Sequence, residues 1–269
     1  MRRIARLFRS PGKKLVPFFT AGFPCLENTI PLVLAAEKAG AHMVELGMPF
    51  SDPLADGPVI QQTSQAALAN GVTVAWILET VARIRERSQV PIVLMGFVNP
   101  LLNMGLETFL ARARDVGLDG LIIPDLPPEE GASFFEQARS IGLSTIYLVA
   151  PNTPGDRIQR LGQEAEDLLY AVSILGVTGS ILAGREKLDR YLDRVRDMSK
   201  VPFVVGFGIS TPDDVRRAAI KADGVVVGSA LLARLQKASD PVAEAAEYLQ
   251  TLAAALHAGD KGSKKGDSI

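Results

Sequence analysis

The chain has 269 residues, of which 47% are apolar, and its formal net charge is −1. This length is usual for a single (β/α)8 barrel, and the near-neutral charge predicts binding neither to nucleic acid nor to an anionic membrane. The only cysteine, Cys25, excludes an internal disulfide and a cysteine-based metal site, and it fits a reducing compartment such as the cytoplasm.

The first ten residues predict a short amphipathic helix. Ile4, Leu7 and Phe8 are spaced as one face of a helix, and four arginines lie among them. No apolar core region follows, so this segment is not a secretory signal. No run of apolar residues in the chain approaches the ~18 needed to span a bilayer, so no membrane association is predicted. We expect the helix to cap the floor of the fold.

Eight short apolar segments alternate with helical segments, at intervals of about 25–30 residues. Such uniformly apolar segments are typical of strands in a parallel sheet that is buried on both faces. The predicted strands are residues 15–20, 43–46, 91–95, 120–123, 144–149, 168–172, 202–205 and 223–227. The predicted helices are residues 26–40, 60–70, 73–87, 106–115, 129–140, 156–161, 185–198, 212–221, 230–235 and 241–256.

This alternation predicts an α/β fold consisting of one (β/α)8 TIM barrel over residues 1–257, with the N-terminal cap helix and a short extra helix after the eighth strand. No second domain is predicted. Residues 258–269 are mostly Gly, Lys, Ser and Asp, and are predicted to be a disordered C-terminal tail.

Three carboxylates lie in the second predicted strand and on the loop that follows it. Glu45 is within the strand, where a carboxylate is costly unless it is protonated or hydrogen-bonded, and Asp52 and Asp56 lie on the loop, which is rich in Pro and Gly. A desolvated acid below two loop acids is suited to acid–base catalysis. The alternative is that Glu45 forms a salt bridge and that the aspartates cap the next helix.

The loops after the last three predicted strands are rich in glycine. In TIM barrels a phosphate commonly binds after strands seven and eight, against a short extra helix. Gly206, Gly208 and Ser210 follow strand seven, and Gly228 and Ser229 open the short helix, so backbone N–H groups could hold a phosphate there. The loop after strand six is long enough to be a lid. Tight turns and a simple surface loop are the alternative interpretation.

Three further residues receive structural interpretations. Tyr170 lies in the sixth strand, with its ring predicted in the core and its hydroxyl near the pocket. Asp125 is predicted to be a loop-stabilising carboxylate, with a place in the pocket wall as the alternative, and His42 to be a packed or capping residue. Because the chain has only two histidines, distant in sequence, no metal site is predicted.

Several segments together closely resemble the tryptophan synthase alpha chain family. The longest and most specific is residues 45–58, Glu-Leu-Gly-Met-Pro-Phe-Ser-Asp-Pro-Leu-Ala-Asp-Gly-Pro. The others are residues 123–127, 176–179, 206–210 and 228–229. The resemblance implies a TIM-barrel lyase of L-tryptophan biosynthesis, which splits indole-3-glycerol phosphate by a retro-aldol reaction into indole and glyceraldehyde 3-phosphate.

The resemblance also implies roles for individual residues. Glu45 matches the acid–base residue at the carbon–carbon bond that breaks, and Asp56 matches the carboxylate that binds the indole N–H. Tyr170 matches the pocket tyrosine of the family, and Thr178 matches the lid residue that contacts the aspartate. The residues that match the indole sandwich are Phe18, Ile60, Ile122 and Phe207, and those that match the phosphate-holding backbone are Gly179, Gly208, Gly228 and Ser229.

The chemistry of the residues agrees with this reaction. A retro-aldol cleavage needs protonation of indole C3 and then removal of a hydroxyl proton. One carboxylate with a raised pKa can do both in turn, a second, ionised carboxylate can stabilise the cationic intermediate, and no metal or organic cofactor is required. We expect Glu45 to be the desolvated acid and Asp56, on a polar loop, to stay charged.

The resemblance implies a partner, the pyridoxal-phosphate-dependent beta chain, in an alpha2beta2 assembly. Pro49, Asp52 and the loop near Asn99 match family positions that face this partner. The sequence departs from the family pattern at Ile174-Leu175, where a more polar residue usually precedes the glycine, and at Phe97, where tyrosine is common. Neither departure touches the two acids.

Three other functions stay open at this point. The chain could be a stand-alone indole-releasing lyase, a non-catalytic activator of a beta chain, or another phosphate-handling barrel such as a sugar-phosphate isomerase. The presence of both Glu45 and Asp56 argues against the non-catalytic activator.

Overall fold

The structure is a computed structural model that describes residues 2–53, 56–172, 181–206 and 208–260, with the backbone alone at 181–185 and 257–260. Its strands are β1 (Lys14–Thr20), β2 (Val44–Gly47), β3 (Ile92–Met95), β4 (Gly120–Ile122), β5 (Ser144–Thr145), β6 (Tyr147–Val149), β7 (Leu169–Val172), β8 (Phe203–Gly206) and β9 (Gly224–Val227). They form one parallel sheet in the order β5-β4-β3-β2-β1-β9-β8-β7-β6.

The two strands at the ends of this order are consecutive in the chain and are separated only by Ile146. Ser144 in β5 pairs with Gly120 in β4, whereas Tyr147 in β6 pairs with Leu169 in β7. The single segment 144–149 therefore joins both ends of the sheet. The predicted TIM barrel is confirmed, and its fifth strand bends at Ile146 because it pairs with one neighbour before the bend and with the other after it.

Helices surround the sheet in the predicted alternation. They are α1 (Arg3–Arg9), α2 (Thr29–Lys38, after a 3-10 turn at Leu26–Asn28), α3 (Pro58–Ala69), α4 (Val74–Arg85), α5 (Val98–Met104), α6 (Leu106–Asp115), α7 (Ala132–Ser140), α8 (Gly155–Ala165), α9 (Ile181–Met198), α10 (Pro212–Lys221), α11 (Ser229–Leu235) and α12 (Pro241–Asp260).

Several helices differ from the sequence prediction, among them α5, α8 and α12. Helix α5 occupies a segment predicted to be loop, and its first N–H, at Val98, donates to Asp125 of a neighbouring loop at 3.0 Å. Helix α8 runs four residues past its predicted end at Leu161, burying Ala165. Helix α12 ends at Asp260 instead of Leu256, and the rest of the predicted tail, residues 261–269, lies outside the described residues.

The N-terminal helix caps the floor of the barrel, as predicted. Ile4 is fully buried, and a side chain at Gly120, where β4 begins, would meet the Ile4 Cδ1 atom at 2.9 Å. Arg3 contacts Asp119 at 2.9 Å, and Arg2 contacts Asp167 at 2.7 Å. Because Asp119 and Asp167 immediately precede strands, these ion pairs attach α1 to the amino ends of the barrel strands.

Asp119 is the most connected carboxylate of this floor. It is 5% exposed, it pairs with Arg3 and Arg85, and it accepts the backbone N–H of Ile92 at 2.8 Å. An asparagine would present an N–H₂ group to one of the two guanidinium groups, so Asp119→Asn is expected to lower the free energy of unfolding by about 2 kcal/mol. Urea denaturation would measure this change. Asp115→Asn, at an exposed pair with Arg114, should leave the urea midpoint unchanged.

No single helix of the described chain is both long and apolar enough to cross a membrane. Helices α3 and α4 together would be long and apolar enough to cross one, by length and composition alone, but the pair is bent by 93° at its junction.

Candidate active site

A cavity of about 910 Å³, including its open mouth, lies at the carboxyl ends of the strands. This is the end of a TIM barrel at which active sites form. The strands β1, β2, β3, β7 and β9 and the loops that follow β8 and β9 all contribute to its wall. The lining residues are Phe18, Thr20, Gly47, Met48, Asp56, Ile60, Ser64, Met95, Gly96, Phe97, Pro124, Tyr170, Gly208, Ile209, Ser210, Val226, Gly228, Ser229 and Ala230.

Glu45 lies in β2 beside this cavity. In the strand register it is level with Phe18 of β1, which lines the cavity, and since paired residues point to the same side of a sheet, Glu45 faces the barrel interior. It is fully buried, and neither carboxylate oxygen has a hydrogen-bond partner among the described residues. A salt bridge with any described residue is therefore excluded. Desolvation by burial raises the Glu45 pKa to about 8, as expected for the desolvated acid.

Asp56 lies on the loop after β2 and lines the cavity directly. Its backbone N–H donates to the Pro53 carbonyl at 3.0 Å, and its own carbonyl accepts from Gln61 Nε2 at 3.0 Å, so the loop is attached to the first turns of α3. The N-cap of α3 is Gly57, without a side-chain bond, so neither loop aspartate caps this helix. Burial raises the Asp56 pKa to about 6, which leaves the group mostly ionised at neutral pH.

Asp52 differs from the other two acids of the segment. It is exposed, it does not line the cavity, and its carboxylate accepts the Ser51 hydroxyl at 2.6 Å. The structure therefore separates the three acids that the sequence grouped, with Glu45 and Asp56 at the cavity and Asp52 outside it.

Tyr170 of β7 lies close to Glu45 in the barrel interior. It is 4% exposed, and burial together with the Glu45 charge raises the pKa of its hydroxyl. Its ring and hydroxyl lie over Gly206, where a Cβ atom would meet the Tyr170 Oη at 2.1 Å. Tyr170 is thus a core residue that also lines the cavity.

Gly206→Ala is expected to reduce catalytic efficiency about a hundredfold, because the added methyl group must displace Tyr170 from the cavity wall and small misplacements at a reacting centre are costly. Steady-state kinetics of the cleavage reaction proposed below would measure the loss. Gly155→Ala is the matched control, since its added methyl group would make only ordinary contacts, the nearest at 3.6 Å to Met198 Sδ. Equal kinetics for the two variants would contradict the expectation that Tyr170 must keep its position over Gly206.

Apolar side chains form the side of the cavity nearest β1, β2 and β3. The Phe18 ring covers Gly47, where a Cβ atom would lie 2.3 Å from its Cζ. Phe97 packs against Phe50 with ring centroids 5.1 Å apart. An aromatic ring of a ligand would meet aromatic and aliphatic surfaces there.

The four residues predicted to hold an indole are not all placed by the structure. Phe18 and Ile60 line the cavity. Ile122 is fully buried and level with the cavity-lining Met95 in the register, but it is not itself part of the lining. Phe207 lies outside the described residues.

The predicted phosphate loops are partly described. Gly208, Gly228 and Ser229 line the cavity, and Gly208 has a φ of 75°, a conformation that favours glycine. Gly228 is the N-cap residue of α11, so the first free N–H groups of this helix face the cavity mouth. Thr178 and Gly179, like the other residues of the predicted lid up to 180, lie outside the described residues. The last part of the predicted lid, residues 181–184, belongs instead to helix α9.

Sequence reasoning missed two polar residues of the cavity wall, Thr20 and Ser64. Thr20 is two residues after Phe18 in the same strand and so points to the same side, and Ser64 is one helical turn after Ile60. Either spacing could have identified them. Two other interpretations are confirmed: Asp125 stabilises the loops by accepting the Val98 N–H, and His42 Nδ1 accepts the Leu15 N–H at 3.2 Å. Within the described residues, no three metal-ligating side chains cluster.

The chain is similar throughout its length to proteins of one family. The family described as tryptophan synthase alpha chain matches residues 4–260. The tryptophan synthase alpha chain of Citrifermentans bemidjiense is 46% identical over 264 residues, which is 98% of this chain and 97% of the relative. That of Geobacter sulfurreducens is 45% identical over 262 residues, covering 95% and 99% of the two chains.

Solved structures give the same result. Tryptophan synthase subunit alpha from Legionella pneumophila superposes with a TM-score of 0.88 at 35% identity, over 96% of this chain and 99% of that chain. A chain of the tryptophan synthase complex from Pyrococcus furiosus superposes with a TM-score of 0.81 at 34% identity, and the match covers 90% of this chain and 99% of that chain.

Proposed function

Because the chain belongs to the tryptophan synthase alpha chain family, we propose that it splits indole-3-glycerol phosphate by a retro-aldol reaction into indole and glyceraldehyde 3-phosphate. The observation that carries this proposal is the environment of Glu45: a fully buried carboxyl group without a described hydrogen-bond partner, directed into the barrel beneath the cavity. A group in this environment holds its proton at neutral pH and can release it to a substrate.

The first step is proton transfer to the indole ring. Glu45 donates its proton to indole C3, which makes the bond between C3 and the glycerol chain labile and leaves a positive charge on the ring. The Asp56 carboxylate accepts a hydrogen bond from the indole N–H and stabilises that charge. Phe18 and Ile60 hold the ring against the apolar side of the cavity.

In the second step, the Glu45 carboxylate removes the proton from the hydroxyl on the carbon attached to C3. The O–H electrons form the aldehyde C=O, the C3–C bond breaks, and its electrons return to the ring, which leaves as indole. Glu45 is again protonated, so the cycle closes without a metal or an organic cofactor. The backbone at Gly208, Gly228 and Ser229 holds the phosphate throughout.

The proposal is tested by mixing the purified chain with indole-3-glycerol phosphate and following the release of indole, with and without a beta chain. Release that increases when a beta chain is added is the expected result. Equally fast release without a beta chain would indicate a stand-alone lyase, and release of no indole, with turnover of another phosphate ester, would indicate a different phosphate-handling enzyme.

The proposal includes a pyridoxal-phosphate-dependent beta chain as partner, in an alpha2beta2 assembly in the cytoplasm. The surface proposed to face it comprises Pro49, Asp52 and the part of α5 near Asn99. Leu102 on the same helix is 53% exposed, so an apolar side chain is available on this surface to contact the partner. Size-exclusion chromatography of the two chains together would test the assembly.

The two acids predict a bell-shaped dependence of kcat/KM on pH. Glu45 must start protonated, so activity falls as pH rises through its pKa of about 8. Asp56 must be ionised, so activity also falls as pH drops through its pKa of about 6. Measurements between about pH 5 and pH 10 would show both limbs. A profile that keeps rising above pH 8 would contradict the role of Glu45 as an acid.

A further inference from the structure

Two hydroxyl groups of the cavity wall have no part in the reaction scheme above. Thr20 lies at the end of β1 and Ser64 lies in α3, and both line the cavity although they are only 2% and 4% exposed. Buried hydroxyl groups normally have hydrogen-bond partners, so their available bonds indicate what they can bind.

Thr63 limits the hydrogen bonds that Thr20 can form. The Thr63 hydroxyl lies 3.0 Å from the Ile60 carbonyl, to which it can donate its only proton. In the 2.8 Å contact between the Thr20 and Thr63 hydroxyls, either oxygen could be the donor. When Thr63 donates to Ile60, Thr20 donates to Thr63, and the Thr20 oxygen is left as an acceptor at the cavity wall.

Ser64 follows Thr63 in the chain and lies one helical turn beyond Ile60, on the same face of α3. No described residue forms a hydrogen bond with its hydroxyl. It can therefore donate and accept at the cavity wall. An acceptor and a hydroxyl that line the same cavity are complementary to a ligand hydroxyl, which would donate to Thr20 and accept from Ser64.

The position of this pair indicates which ligand hydroxyl it meets. Helix α3 packs against β1 and against α11, and the same cavity is lined by Ile60, proposed to hold the indole, and by Gly228 and Ser229, proposed to hold the phosphate. The substrate carries two hydroxyls between its indole and its phosphate. The one next to the ring loses its proton to Glu45, which leaves the other for the pair.

We propose that Thr20 and Ser64 bind the glycerol hydroxyl that does not react, and that they select substrates which carry it; this inference rests on the proposed function. A site built to hydrogen-bond a substrate hydroxyl discriminates against an analogue that lacks it, because its polar groups are then left unpaired.

The test compares two ligands: indole-3-glycerol phosphate and an ester in which a plain propyl chain joins indole to phosphate. Their Kd values are measured in the non-cleaving Glu45→Gln background, with and without Ser64→Ala or Thr20→Val. Either substitution is expected to weaken binding of the glycerol ester about tenfold and to leave binding of the propyl ester unchanged. Thr80→Val, a buried hydroxyl in α4 away from the cavity, should change neither Kd.

An equal loss of affinity for both esters would show that the pair only supports the cavity wall, and an unchanged Kd for both would show that it contacts neither ligand; each result overturns the inference. Turnover by the otherwise wild-type chain is scored separately. If that chain binds the glycerol ester without releasing indole, the proposed lyase function fails while the comparison of the two esters still decides the role of the pair. If it binds neither ester, both proposals fail.

Discussion

Replacing Glu45 with glutamine is expected to reduce kcat/KM for indole release about 10,000-fold, at the upper end of what one acid–base group contributes. Glutamine has nearly the same volume but can neither donate the proton to indole C3 nor remove one from the hydroxyl. Both steps of the proposed reaction therefore lose their proton carrier. Spectrophotometric detection of indole from purified protein would measure the effect.

The fold should survive this substitution. Glu45 has no hydrogen bond to a described residue, so an amide removes no hydrogen bond to the described part of the chain and eliminates a carboxyl group that is costly to ionise. Circular dichroism and the urea midpoint at neutral pH should match those of the wild type. Glu79→Gln, at a position 68% exposed on α4, is the control and should retain full activity. A loss below about tenfold for Glu45→Gln would show that another group moves the protons.

Replacing Asp56 with asparagine is expected to lower kcat/KM about 1,000-fold. An asparagine oxygen still accepts the indole N–H, but it carries no charge to stabilise the cationic ring after C3 is protonated. The loss should appear mainly in kcat, because the charge on the ring develops only during the reaction. The acidic limb of the pH profile should also disappear, since that limb reports ionisation of Asp56.

The control for this variant is Asp156→Asn, an exposed acid in the first turn of α8. It makes the same chemical change at a residue that does not line the cavity, and it should leave both kcat and the pH profile unaltered. If Asp56→Asn raised KM alone, the carboxylate would serve only to bind the indole N–H, and the proposed stabilisation of charge would be wrong.

The fold could be predicted from the sequence because its strands are uninterrupted apolar segments separated by helical ones. The bend at Ile146 could not, because it arises from pairing with two different neighbours, β4 and β7, which no local pattern records. Helix α5 was missed for a similar reason: its first N–H group is satisfied by Asp125, a residue that lies 27 positions away in the chain.

The candidate site was predictable where unusual residues mark it. A glutamate inside an apolar strand and glycines after strands seven and eight are rare enough to indicate chemistry, and the structure places Glu45, Gly208 and Gly228 at the same end of the barrel. Thr20 and Ser64 were missed because threonine in a strand and serine in a helix are common. Only the packing of α3 on β1 gives them a position at the cavity.

The floor of the barrel has a consequence for how the chain assembles during translation. Helix α1 leaves the ribosome before the strands of the barrel, yet the partners of Arg3 and Arg2 lie 116 and 165 residues later in the chain. Asp167 also accepts the Ser144 hydroxyl at 2.6 Å, so the same carboxylate links β5 to the segment that precedes β7. This helix can therefore complete both ion pairs only after the segment that precedes β7 has emerged. A chain that lacked its first nine residues would keep every strand but lose the ion pairs of Arg3 and Arg2 that join the amino ends of β4 and β7 from below.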